Sequence, residues 1–395
     1  MSNMQIGYVH LNRTELAEQI LSMRRVEQGA IDELGIGSIR DAFADAMFPG
    51  ASTLHRHAKY FSLMPQVYRS VFKEACKKDS ITPQEVRQMI REEEKRMTRC
   101  LTNNSPHVPG ITGSESLRVH NKFVKYNPTY IYNSAMRTYG FLHLGDSESI
   151  ESAICRSARQ KRELPERMIT EQTDIADDAQ ETSGIRTFCE FPPQLEYSYP
   201  TECTIRITPI EREYIKNHIL STPCVHHTLY AYLLEHDELT LGKTLASLDR
   251  EELPSGLRKL VRCATTVSDF IYLLYLRYNF ILSKGTDATI MKQWEEQYAY
   301  IQQMRSDVPS ALSILNTIGN RLLQRAIDFV ETAYRLVMDG SISELEQLII
   351  QREGKIKLNR RKIGNIHYEY TTPVHNYRLS YRWDIVKTMI EELRP

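Results

Sequence analysis

Residues Gly256–Ser283 read GLRKLVRCATTVSDFIYLLYLRYNFILS. The spacing predicts one long helix, and toward its C-terminal end it is apolar nearly all the way round. A helix with no polar face is buried on every side, so this stretch is expected to be the central core helix of its domain. Its most apolar run, Phe270–Leu276, is opened by Asp269 and closed by Arg277. That run is far shorter than the ~20 residues needed to cross a bilayer core, so the expectation is a soluble, mainly α protein with no membrane partner.

Helical signals continue on both sides of this stretch. Thr208-Pro209 followed by Glu211 places a capping hydroxyl, a proline at the first helical position and an acid in the first turn, which predicts a helix to about Leu220. Thr82-Pro83 with Glu85 repeats the signature, for a helix to about Leu101. Further helices are expected over Thr222–His236, Asp287–Arg305, Ser310–Met338 and Ile342–Arg352, and from Trp383 onward. In the first half, Met4–His10 alternates like a short strand. Leu16, Ile20 and Met23 then take up helical spacing from Arg13. Ile31–Met47 is a helix stopped by Phe48-Pro49-Gly50. Ser52 or Thr53 would cap the next one, which carries Tyr60, Phe61 and Met64 into Pro65. A short helix around Ser114–His120 and a second one from Pro128 to Gly140 follow. Lys355–Tyr381 turns β-like, with His367–Thr371 and Val374–Tyr381 flanking Thr372-Pro373 as a small hairpin.

The 395 residues correspond to two or three domains at roughly 100–200 residues each. Ile169–Gly184 holds Glu171, Asp174, Asp177, Asp178 and Glu181 without a basic residue, and Pro192-Pro193 lies just beyond. Such a tract reads as a linker. The division is then an N-terminal helical domain over 1–165, an acidic linker over 166–188, and a C-terminal helical domain over 189–395 that ends in a basic hairpin. Lysine plus arginine and aspartate plus glutamate balance at 50 each, so any attraction to nucleic acid must come from local patches. Seven scattered cysteines with no CxxC spacing read as free thiols in a reducing compartment. Met1–His10 carries no secretory pattern, and the expected location is the cytoplasm.

Most catalytic motifs fail on inspection. Gly242-Lys243-Thr244 lacks the first glycine of a phosphate loop, since Asp237 stands there, and it follows a leucine-rich helix. His120-Asn121-Lys122 opens like a phospholipase-D-type nuclease motif, but Asn127 occupies the place of its aspartate. His55 and His57 sit in a helical context where two-residue spacing turns their rings to different faces, and Cys224 with His226 and His227 has no matching second half of a zinc site. No metal and no cofactor is expected. Asp339 with Glu353-Gly354-Lys355 has the residue types of a metal-dependent nuclease, in which carboxylates hold Mg²⁺ and the lysine steadies the attacking water. That chemistry needs neighbouring strands, and a helix is predicted between the two acids. This enzyme reading remains as the alternative.

The positive signals concern nucleic acid. Residues 114–140 run helix, loop, helix, with Lys122 and Lys125 in the loop and Tyr130, Tyr132, Asn133 and Arg137 on the second helix. This is either a helix-turn-helix variant or an amphipathic helix burying Ile131, Ala135 and Met136. Arg352–Lys362 sets Arg352, Lys355, Lys357, Arg360, Arg361 and Lys362 against Glu353 alone, with Tyr368, Tyr370, Tyr377, Arg378, Tyr381, Arg382 and Trp383 beyond. Cations neutralise phosphates and aromatics stack on bases. Otherwise the stretch is a solvated hairpin edge.

The stretch Glu33-Leu-Gly-Ile-Gly-Ser-Ile-Arg-Asp-Ala-Phe-Ala-Asp45, continuing Met47-Phe-Pro-Gly-Ala-Ser-Thr53 and Ala58-Lys-Tyr-Phe61, resembles the opening of a bacterial family known only as a domain of unknown function. Pro128–Asn133 with Gly140, Cys263–Leu282 and Tyr381-Arg-Trp383 are similar to its later blocks. The resemblance implies genes lying beside helicase and phospholipase-D-type nuclease genes. It therefore implies an accessory role in antiphage defence, as a non-catalytic subunit that binds DNA or docks those partners, or as a scaffold without nucleic-acid contact. The family brings no catalytic residues. Members usually carry glutamine and arginine where His55 and His57 stand, and tryptophan where Asn133 stands. Arg40, Asp41 and Asp45 fall on helical spacing in the opening motif. They are expected to be either a partly buried polar network or the lining of a functional cleft.

Overall fold

A computed structural model describes residues 32–163, 187–193, 195–248, 252–304, 307–316 and 321–395. The expected strand Met4–His10, the helix from Arg13 and nearly all of the acidic tract lie outside the described residues. The protein is mainly helical. Among the described residues there is no sheet, and the one β feature is an isolated bridge between Leu142 and Cys189. None of the described helices is long and apolar enough to cross a membrane.

The chain forms two units, each drawn from separated segments. One takes residues up to Phe43 together with Lys259–Tyr381, and the other takes Ala44–Arg258 with Arg382–Pro395. The expected boundary at the acidic tract thus falls inside the span of the second unit. Residues before and after that tract share this unit, as where Asn104 donates to the carbonyls of Thr201 and Cys203 at 2.8 and 3.0 Å.

In the second unit the helix Tyr60–Cys76 is the hub, packed by Pro83–Asn104, Pro128–Thr138, Ile150–Glu163 and Pro209–Ser221. It begins at Tyr60 with no side-chain cap, later than Ser52 or Thr53 would allow, and it runs through Pro65. An interior proline removes a donor at a cost of ~3 kcal/mol. Here Tyr60, Phe61, Leu63, Met64, Val67 and Tyr68 are all fully buried, each worth ~1.5–3 kcal/mol, and packing wins. Both capped helices form as read. Thr82 and Glu85, and Thr208 and Glu211, make reciprocal capping boxes behind Pro83 and Pro209. Thr222–His236 shortens to Leu229–Glu235, capped by Thr228. The C-terminal helix Trp383–Leu393 packs against the Pro209 and Leu229 helices, with Trp383 stacked on Phe48 and its indole N–H on the carbonyl of Gly242.

The first unit holds most of the long helix Ser255–Leu282, whose buried face from Val261 to Leu282 is mostly apolar and includes Ser268, Arg277 and Asn279. Ala288–Met304, Val308–Ser313, Arg321–Met338 and Ile342–Lys357 follow. The predicted hairpin over 355–381 does not form. Several of its backbone donors go to side chains, Lys362 and Ile363 to Glu353, Val374 to Asn279, and Leu379 to Ser268, and others close local turns. His375 and Tyr381 also take positive φ, so the strand ladder is replaced by an irregular strap.

Candidate nucleic-acid interface

The helix Ser114–His120, the loop after it and the start of the helix Pro128–Thr138 form one outward surface in the second unit. Tyr126 and Tyr130 are 40% and 52% exposed, and their rings lie 4.8 Å apart, tilted against each other. The Lys125 ammonium sits over the Tyr126 ring at 5.5 Å. Arg118, Lys122 and Lys125 are exposed, with no carboxylate partner among the described residues.

The loop beneath them is pinned from inside. Arg91 donates to the carbonyls of Phe123 and Val124 at 3.3 and 3.2 Å, and the Ser116 hydroxyl donates to the Lys122 carbonyl at 2.5 Å. Asn127 and the backbone N–H of Thr129 both donate to the carboxylate of Glu94 at 2.5 and 2.6 Å. Glu94 is fully buried, and burial lifts its carboxyl to about 7 against those hydrogen bonds. Gly113 closes the other end at φ +81, where a Cβ would meet the Phe123 ring at 2.7 Å.

Tyr132, Ala135 and Met136 of the second helix face inward. Tyr132 is fully buried between His55 and Tyr60, with ring centroids at 4.7 and 4.9 Å. Arg137 holds the carbonyls of Gly145 and Glu148. Of the residues expected on a recognition helix, Tyr130 alone projects freely.

The basic segment divides in the same way. Lys355, Arg360 and Arg361 are exposed. Lys362 and Lys357 instead turn to Glu33, at 2.9 and 4.0 Å. Burial would raise the Glu33 carboxyl, but hydrogen bonds from His375 and Lys362 outweigh it and hold it at about 2. Arg352 donates to the carbonyls of Leu34, Arg325 and Gly35. Arg378 is bound to Asp269 at 2.5 Å and to Gln297 at 2.9 Å. Arg382, in the second unit, is bound to Asp45 at 2.5 Å and to the Ala51 carbonyl.

The three residues of the nuclease alternative are not brought together. Glu353 is fully buried and accepts from the Tyr278 hydroxyl and from the N–H groups of Lys362 and Ile363 at 2.7, 2.7 and 3.0 Å. Asp339 ends the preceding helix, and Lys355 is exposed two residues along the Ile342–Lys357 helix, where spacing by two puts side chains on different faces. Among the described residues there is no group of three or more His, Cys, Asp or Glu able to hold a metal.

Both histidines of the HxH pair are held by the protein. His55 bridges the Ser52 N–H and the Ile131 carbonyl, and burial pushes it down to about 4. His57 places one ring nitrogen 2.6 Å from Glu392 and the other 2.8 Å from the Pro109 carbonyl. Burial lowers its pKa, but these two acceptors outweigh that and raise it. Arg40 and Asp41 form a neighbour-to-neighbour pair at 3.0 Å with side chains 38% and 46% exposed, a surface contact and not a buried network. Asp45 belongs to the other unit.

Sequence reasoning missed a buried constellation in the second unit. Lys59 and Glu211 are wholly buried and bonded to each other. Glu211 also accepts from the Ser62 and Tyr197 hydroxyls at 2.6 and 2.7 Å and from the Thr208 N–H at 3.0 Å. The Thr208-Pro209-Glu211 signature announces the cap but not the cation that Glu211 neutralises.

Residues 10–161 match the model of a family of unknown function, DUF6361. The matched span contains the Tyr126–Tyr130 surface and Lys59, and it ends well before the basic segment. No curated protein and no solved structure matches the chain.

Proposed function

We propose that this chain is a non-catalytic accessory subunit that binds single-stranded DNA through Tyr126, Tyr130, Lys122 and Lys125. One observation carries the reading: a pair of exposed aromatic rings, flanked by cations without carboxylate partners, on a loop fixed by buried anchors. Exposed aromatics offer every base a stacking face, while nearby cations track the phosphates. Groove reading by the Pro128 helix has less support, because Tyr132 and Arg137 are committed to the fold. The resemblance of the opening motif supplies the setting, a cytoplasmic bacterial antiphage system with helicase and phospholipase-D-type nuclease partners.

The test is fluorescence anisotropy with a labelled oligo(dT) strand and with a duplex. Tyr126→Ala and Tyr130→Ala should each weaken strand binding by ~1–3 kcal/mol. Lys122→Ala and Lys125→Ala should each flatten the log–log salt slope by ~0.7. No binding by the wild-type chain, or four variants indistinguishable from it, would sink the proposal.

A further inference from the structure

We infer that the strap following the Ile342–Lys357 helix is a docking site for an acidic segment of a partner protein, one that brings an apolar anchor residue. This rests on the reading of the chain as an accessory subunit, but on a different surface in a different unit from the Tyr126–Tyr130 loop.

The first observation is exposed apolar surface. Ile366 is 91% exposed and Leu358 is 69% exposed. Both line a shallow, open depression together with Asn359, Arg361 and His367. Gly354 and Gly364 also line it, and a Cβ built at either meets nothing within 4 Å, so the space above them is empty. Leu358 is held at φ 49, ψ −121. A non-glycine residue there is strained by ~1–3 kcal/mol, and the strained conformation keeps an apolar side chain in solvent.

Charge is the second observation. Arg361 lines this depression, its sequence neighbours Arg360 and, one residue after Gly354, Lys355 are exposed, and none of the three has a carboxylate partner among the described residues. Between Gly354 and Tyr368 the sequence has no acidic residue. The adjacent acid, Glu353, points inward to Tyr278 and to two backbone N–H groups. Even with the exposed Glu369 just beyond it, this stretch carries an excess of basic residues and is complementary to carboxylates. Phosphates would satisfy the rim equally, but a nucleic-acid backbone has nothing to bury against Ile366 and Leu358. An acidic segment carrying leucine or phenylalanine satisfies both features, and apolar anchors in a cleft supply most of the energy of such contacts.

The experiment uses the full chain and three labelled twelve-residue peptides, built from glutamate and leucine, from glutamate and serine, and from lysine and leucine. Anisotropy is read at low and at physiological salt. The glutamate–leucine peptide should bind, the glutamate–serine peptide at least tenfold more weakly, and the lysine–leucine peptide not at all. Ile366→Asp and the pair Arg360→Glu with Arg361→Glu should each reduce binding at least tenfold while leaving the circular dichroism and melting of the protein unchanged, since all three side chains are exposed. Tyr126→Ala should leave peptide binding untouched, which separates failure here from failure of the DNA reading. The inference is overturned if the glutamate–leucine peptide does not bind, if Ile366→Asp binds it normally, or if oligo(dT) binds at Arg360 and Arg361 with an affinity that Ile366→Asp does not change.

Discussion

Replacing Lys59 with methionine should be among the most damaging single changes in the second unit. The substitution nearly conserves volume, so it isolates the charge. Glu211 would keep its bonds from Ser62, Tyr197 and the Thr208 N–H but lose the cation paired with it in a site with no solvent exposure. Stranding one partner of a buried pair typically costs ~3–5 kcal/mol, a large share of the ~5–15 kcal/mol that holds a domain together. Burial raises the Glu211 carboxyl, and Lys59, with the Ser62 hydroxyl and the Thr208 N–H, more than offsets it, giving a net lowering. Removing Lys59 takes away the largest of the opposing contributions, so the carboxyl moves up and Lys59→Met should lose less stability at pH 5 than at pH 8. Lys59→Met with Glu211→Gln removes both charges and should recover most of the loss. Urea unfolding can be followed by Trp383 fluorescence in a Trp294→Phe background, because the chain has two tryptophans and Trp383 is the one in this unit. A single variant within ~1 kcal/mol of the parent, or a double variant no better than the single, would refute the buried-pair argument.

Glu94 has a folded value of about 7 against an ordinary 4.5, so the unfolded chain releases its proton first. Stability should fall as pH rises from 4.5 through 7, by on the order of 3 kcal/mol. Glu94→Gln should flatten that slope in urea titrations, and an unchanged slope would refute the assignment. Arg40→Ala should stay folded within ~1 kcal/mol of the parent, since half-exposed ion pairs contribute little. A loss of several kcal/mol in the same titration would restore the expectation of a buried network.

Local signals were legible in the sequence. Thr82-Pro83-Glu85 and Thr208-Pro209-Glu211 carry complete caps within four residues, and the Gly256–Ser283 helix is misplaced by a single residue at each end. The errors arise where distant residues decide. Pro65 reads as a stop because the packing around Tyr60–Tyr68 is set by helices far along the chain. The 355–381 segment alternates like strands, but Asn279, Ser268 and Glu353 take its donors from elsewhere. Sequence shows which residues are basic, but not which are already spent. Arg137, Arg378 and Arg382 are committed to internal acceptors, whereas Lys122, Lys125, Lys355, Arg360 and Arg361 face solvent.

That distinction also gives the opening motif a physical role. Arg352 reaches back 318 positions to the Leu34 carbonyl and to that of Gly35. Gly35 stands at φ +62, where a Cβ would press on Ile356 at 2.8 Å. Glu33 gathers Lys362, His375 and, more loosely, Lys357. The Glu33-Leu34-Gly35 turn is thus the anchor of the basic strap, and it draws two of the strap's lysines inward. Glycine suits that position because positive φ strains a residue with a Cβ, and a Cβ there would also crowd the tip of the Ile356 side chain. The charges left outside, Lys355, Arg360 and Arg361, are those the turn does not reach. The start of the conspicuous motif therefore has a structural role, Glu33 and Gly35 fixing the strap from which those charges project.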